Sequence, residues 1–248
     1  MSVSVVIPVY KEILSNSEIK SLVRCKNVLT KYDTYLVYPK DLDIHNYKKY
    51  YSNLKFKPFP KRYFEGISGY NRLMLSTTFY GKFLKYNYIL IYQLDSYVFK
   101  DELNEWAKYK FDYIGAPYYA NDQITRTFNS LLYSRSSVIK YLKNVLVKKN
   151  PNLSVGNGGF SLRRVYKFWI ISFLFFPLIK SWLTNEDYFW SLFAPNFLPF
   201  FNVASIDKAK RFSIEKNSES IYKETASLPF GCHAWEKYEP KFWKDFIK

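Results

Sequence analysis

Two stretches of this chain are apolar almost without interruption, Val3–Val9 (VSVVIPV) and Tyr88–Leu94 (YILIYQL). A strand with one wet face alternates polar and apolar residues. A continuous run of β-branched side chains needs cover on both faces, as in a parallel sheet lying between layers of helix. The intervening sequence supplies those helices. Ser15–Leu29 carries Ile19, Leu22, Val23 and Val28 at roughly helical spacing, with Ser15 or Ser17 as its cap. Thr34–Tyr38 reads as a second short strand closed by Pro39, and Gly69–Leu84 reads as a helix. Strands separated by helices of this length form βαβ units, so the expected fold is α/β with a mostly parallel central sheet flanked by helices. Residues 1–120 have the character of a nucleotide-binding half.

Residues 121–248 read differently. Phe111–Ala116 is a short strand, a polar loop follows at Asn121–Asn129, and Val138–Lys148 is a basic helix. Ser154–Leu162 holds the densest glycine cluster and reads as a loop that can approach a ligand closely, with a turn before a helix as the alternative. The most apolar segment, Phe168–Leu183, is broken by Ser172, Pro177, Lys180 and Ser181 and is too short to span a bilayer. It is either a core helix or an interfacial one, with Arg163, Arg164, Lys167 and Lys180 as cations for anionic lipid. Asn185–Phe193 reads as a short helix. With no repeat and no linker-like tract, the 248 residues are expected to form one domain.

An apolar content of 48% excludes a disordered chain. The net charge of +16 calls for an anionic partner, and 21% aromatic residues would suit base stacking. The basic residues are dispersed, however, and no nucleic-acid-binding motif is present, which argues against that class. Cys25 and Cys232 are too few for a disulfide scaffold, and the N-terminal residues lack the features of a signal peptide. The expected compartment is the cytoplasm, at the inner face of the membrane if the apolar helix is interfacial.

Four stretches carry chemistry. VSVVIPVYKE (3–12) delivers Tyr10 and Glu12 to the carboxyl end of a strand, where open α/β sheets bind ligands. YILIYQLDSYVF (88–99) runs an apolar strand into Asp95, which must face a cation or donors, or else cap the next turn. VGNGGFSLRR (155–164) places Gly156, Asn157, Gly158 and Gly159 where backbone can approach a ligand closely. TNEDYFW (184–190) sets Glu186 and Asp187 side by side at a helix start, as caps or with one as a general base. LPFGCHAW (228–235) holds His233, a ligand, a proton shuttle or a structural histidine.

Together these stretches resemble a glycosyltransferase of the GT-A fold. VSVVIPVYKE is similar to the opening of the large inverting family, V-S-V-I-I-P-V-Y-N-E, with Lys11 where that family has Asn. Across residues 65–235, the ordered set SGYNRLMLS, YILIYQLDSYVF, FDYIGAPY, VGNGGFSLR, NEDYFW and PFGCHAW resembles a bacterial family catalogued as a domain of unknown function. Its members are glycosyltransferase-like and associated with surface-polysaccharide genes. The resemblance implies that Pro8, Tyr10 and Glu12 hold the base and ribose of a nucleotide-sugar donor, with Asn71 and Arg72 flanking the pocket. It implies that Asp95, with Ser96 beside it, is the first acid of a D-x-D motif whose third position is Tyr97. It further implies that Asp95 and His233 hold a divalent metal (Mn²⁺ or Mg²⁺), that Gly156, Asn157, Gly158 and Gly159 face the donor sugar, and that Asp187 or Glu186 activates the acceptor, with Asp187 favoured. The implied partners are a nucleotide sugar and a glycan or lipid-linked glycan acceptor, with direct displacement and inversion. The altered D-x-D motif also admits a catalytically inactive sugar-binding member of the fold.

Overall fold

The computed structural model describes residues 1–119, 153–182 and 184–247. The expected loop at 121–129, the basic helix at 138–148 and Leu183 lie outside them. In chain order the main elements begin with β1 (Val3–Pro8), α1 (Asn16–Val28), β2 (Asp33–Pro39), α2 (His45–Tyr50) and β3 (Lys55–Phe59). Next come α3 (Gly66–Met74), α4 (Thr77–Gly81), β4 (Tyr88–Tyr92), β5 (Ser96–Val98), α5 (Leu103–Lys108) and β6 (Tyr113–Tyr119). Then β7 (Leu153–Arg164), α6 (Val165–Leu174), α7 (Phe176–Lys180) and α8 (Glu186–Tyr188) follow. The chain closes with α9 (Ile206–Phe212), β8 (Ser213–Ile214), α10 (Ser218–Thr225), β9 (Gly231–His233) and α11 (Pro240–Trp243).

Six strands form the central sheet in the order β3-β2-β1-β4-β7-β6. The first four are parallel, while β7 runs antiparallel to both β4 and β6, so the sheet is mixed. The two apolar runs lie side by side at its centre, with Val5 opposite Leu90. Val3, Val5 and Ile7 face one core with Leu90 and Tyr92, while Val6 faces the other with Ile89 and Ile91. Burial on both faces explains why neither strand alternates. A second sheet, β5-β9-β8, sets β9 antiparallel to β5 and so brings His233 opposite Ser96.

Local signals held where the chemistry is local. Ser15 caps α1 through a reciprocal capping box, accepting from the Glu18 amide while the Glu18 carboxylate accepts from the Ser15 amide. Three expectations need correction. The helix expected over 69–84 is two helices, because Ser76 leaves the first and caps the second. The apolar segment breaks at Phe175, ahead of Pro177, into α6 and α7. The glycine cluster is neither loop nor turn but the middle of β7, the longest strand among the described residues. β3 escaped the sequence reading because it is an edge strand with Pro58 inside it.

Candidate functional site

A cleft of about 480 Å³ opens at the carboxyl ends of β1 and β4. Pro8, Tyr10 and Lys11 line one side, Tyr63, Phe64, Ile67 and Tyr70 the other, and Gln93, Leu94 and Asp95 the floor. This edge lies beyond the carboxyl ends of two adjacent parallel strands, where such sheets bind ligands. Tyr10 and Ile67 are more than two-thirds exposed while lining the cleft, so each offers a free apolar surface to a planar ligand.

At the floor, Asp95 Oδ1 lies 3.2 Å from His233 Nε2, which also contacts Gln93 Oε1 at 3.1 Å. The other ring nitrogen, Nδ1, faces Glu215 Oε1 at 3.5 Å. Glu215 is held in turn by the Asn157 amide, which donates to its Oε2 at 2.8 Å. Burial alone would lower the His233 pKa, but the Asp95 and Glu215 carboxylates overrule it and push it up to about 10. Desolvation likewise opposes the charge on Asp95, yet His233 holds its carboxyl below the ordinary value. The two side chains form an ion pair of which Asp95, but not His233, lines the cleft.

The neighbours of Asp95 have other work. Ser96 is fully buried, and its hydroxyl donates to the Gly159 carbonyl. Tyr97, at the third D-x-D position, packs in a satellite core with Ile214, Ile221, Cys232 and Trp243. An acid there would be buried among apolar groups, which accounts for the tyrosine.

On the other side of the site, β7 passes between two charged clusters. A Cβ on Gly159 would fall on His233 Nε2, and one on Gly158 would fall on Glu186 Oε1. These two positions therefore need glycine for close approach. Arg163 and Glu186 form a bidentate pair at 2.8 and 3.1 Å, both almost completely buried. That removes Arg163 from the expected lipid-facing cations, and Arg164 is paired with Asp112 at 3.0 Å.

Asp187 stays half-buried next to this pair. Tyr118 donates its hydroxyl to Asp187 Oδ2, and the Tyr188 amide donates to Oδ1 at 2.9 Å. Burial first, and then the negative charge of Glu186, push the Asp187 carboxyl up to about 7, with a smaller push from Glu215. Such a carboxyl exchanges its proton near neutrality.

The remaining sequence candidates are placed as follows. Glu12 is exposed and is not among the residues lining the cleft, whereas Glu18 is. Arg72 is exposed and donates to Ser68 Oγ and the Arg62 carbonyl. Asn71 accepts from the Glu186 amide at 3.2 Å, tying α3 to the start of α8. The Gly156 carbonyl accepts from the Tyr113 hydroxyl at 2.6 Å. Gln93 and Glu215 were missed. Gln93 was detectable as the one polar residue closing an apolar strand, but Glu215 lies in no motif.

The metal implied by the resemblance can be tested against these atoms. Adjacent ligands at ~2.1 Å from one ion stand about 3.0 Å apart when at right angles, close to the 3.2 Å between Asp95 and His233. Among the described residues no group of three His, Cys, Asp or Glu could hold an ion. The pair would supply two ligands once a metal displaced the His233 proton, with substrate oxygens and water completing the shell.

Fold and site architecture define a protein of the GT-A glycosyltransferase fold. Solved structures with this fold include the bifunctional glycosyltransferase WbbM in its apo form, with 14% identity and a TM-score of 0.55 over 96% of this chain and 46% of that one. This chain thus spans less than half of the WbbM structure. Mouse xyloside xylosyltransferase 1, also apo, matches with 11% identity and a TM-score of 0.57 over 94% and 97% of the two chains. The galactosyltransferase LgtC, solved with donor and acceptor sugar analogues, matches with 14% identity and a TM-score of 0.50 over 93% and 86%. At these identities the likeness is one of fold. The chain belongs to the family described as protein of unknown function DUF5672, whose model matches residues 53–233. Among the curated proteins none matches.

Proposed function

We propose that this chain is a nucleotide-sugar-dependent glycosyltransferase that moves a hexose-type sugar to a hydroxyl of a glycan acceptor. The observation that carries the reading is Asp95 on the floor of an aromatic cleft, paired with His233, with the Asp187 carboxyl, pushed up to about 7, across β7. In this reading residues 1–120 bind the donor and residues 121–248 the acceptor, within one domain. The acceptor is lipid-linked, in the synthesis of bacterial surface polysaccharide such as O-antigen, capsule or lipopolysaccharide.

Tyr10, Pro8 and the cleft aromatics would stack on the base, beside the Lys11–Glu18 ion pair. Asp95 and His233 would hold Mn²⁺ or Mg²⁺, which when bound supplies charge neutralisation for the diphosphate leaving group. Asp187 would take the proton of the acceptor hydroxyl as that oxygen attacks the anomeric carbon from the opposite face, inverting the configuration. Tyr118 would hold the carboxylate in place through its hydrogen bond. Glu186 would be a positioning residue: fixed by Arg163, it cannot reach a substrate but fixes the start of α8.

The test is a panel of nucleotides and nucleotide sugars, with and without Mn²⁺, read by thermal shift and by release of nucleoside diphosphate. A matching donor at ~100 times its dissociation constant adds about 2.7 kcal/mol of stability. Failure of the whole panel to shift the melting temperature would remove the donor assignment. Stabilisation without turnover, with any acceptor or with water, would favour the inactive sugar-binding reading.

A further inference from the structure

No helix among the described residues is long and apolar enough to cross a membrane, yet one surface is built to meet one. α6 buries Val165, Phe168, Ile171 and Ser172 against the sheet. Its opposite side carries Tyr166, Trp169 and Phe173 at intervals of three and four, with Tyr166 tilted against Trp169 and Trp169 stacked on Phe173. The ridge continues into Leu174 and, at the start of α7, Phe176. Tyr166, Phe173, Leu174 and Phe176 are each 58–62% exposed. A contiguous apolar ridge open to water marks a contact surface rather than the ordinary scatter of single exposed residues.

Charge says what it contacts. No Asp or Glu occurs between residues 66 and 94 or between residues 123 and 185. These runs include α4, α6 and α7, which form this face, since Gly81 at the end of α4 lies against the Trp169 indole. Among the described residues, Lys167 and Lys180 have no carboxylate partner. Lys167 donates to the Phe200 carbonyl at 3.1 Å and lies over that exposed ring, and Lys180 ends α7 exposed. A protein partner of mixed charge would find nothing here to pair with its own basic residues. A negatively charged sheet of head groups over hydrocarbon matches both the apolar ridge and the missing acids.

We propose that α6 and α7 form a peripheral docking surface for an anionic lipid bilayer, with Phe173, Leu174 and Phe176 entering the head-group boundary and Lys167 and Lys180 meeting the lipid charge. The proposal stands apart from the donor cleft and from any assignment of activity. The test uses the full chain and sedimentation with vesicles of phosphatidylcholine alone or mixed with phosphatidylglycerol. The expected result is co-sedimentation with the mixed vesicles only and release by high salt. The variant Phe173→Glu/Phe176→Glu should reduce binding by roughly tenfold or more with an unchanged melting temperature, since both side chains are largely exposed. Asp95→Asn should bind vesicles normally, which separates this surface from the donor site. Wild-type protein that stays in solution with the mixed vesicles overturns the proposal, as does a double variant that still sediments. A double variant that converts a wild-type dimer to a monomer in light scattering would assign the ridge to a second copy instead.

Discussion

Glu186 and Asp187 are neighbours in sequence with opposite fates. Glu186 is turned inward onto Arg163, and Asp187 is left half-open beside Tyr118. Asp187→Asn is therefore expected to lower turnover ~10²-fold or more while leaving donor binding nearly unchanged. Wild-type activity should rise as pH passes through about 7, where the Asp187 carboxyl becomes available as a base. Losing that limb in a pH–rate profile of the Asn variant is the check. Glu215 is the residue that no motif announced. It lies behind the His233 ring and is itself held by Asn157, so Glu215→Gln should loosen the orientation of His233. The expected outcome is a weaker thermal-shift response to Mn²⁺ and donor together, with the far-ultraviolet circular dichroism unchanged. Equal responses in wild type and variant would leave Glu215 a purely structural contact.

At the scale of elements, β7 carries the most consequence. Its glycines read as a loop because glycine permits unusual backbone and close approach, but here two of them make room for charged side chains on either side of a strand. Gly159→Ala is expected to displace His233, abolishing the metal response and lowering the melting temperature. A variant with normal metal titration would show that the ring has room to move. The Arg163–Glu186 pair joins β7 to α8 at a buried position. Removing one charge leaves the other unpaired, so Glu186→Gln should cost ~3–5 kcal/mol in a urea titration, far more than an exposed helix cap contributes. α6 answers an alternative that periodicity left open: one face is core and the other is exposed. An apolar segment looks the same in sequence whether its second face meets water or another helix, so only packing could separate the two.

For the whole molecule, the base assigned to Asp187 is also a stability cost. Its folded pKa of about 7 lies above the ordinary carboxylate value. Below pH ~4 the group is protonated whether folded or unfolded and contributes nothing; between pH ~4 and 7 the folded state pays for ionising it, and above pH 7 the penalty is complete. Asp187→Asn should therefore melt several degrees higher than wild type at pH 8 and at about the same temperature at pH 4, measured by scanning calorimetry. A proposed base that destabilises the fold is the expected trade-off. The architecture itself was written locally: continuous β-branched runs, helical spacing and the Ser15–Glu18 capping box each involve residues within a few positions of one another, so the parallel core of β1, β2 and β4 and the placement of Pro8, Tyr10 and Asp95 at its carboxyl edge follow from the sequence alone. The site is different. Gln93 and His233 are 140 positions apart yet share a hydrogen bond, and Glu215 reaches them only because β8 lies beside β9 in the small sheet. Which acid is buried with Arg163 and which stays open to a substrate, and whether Tyr97 faces a ligand or a core, depend on long-range packing. No local pattern encodes that, because burial and electrostatic partners are properties of the folded neighbourhood rather than of the chain.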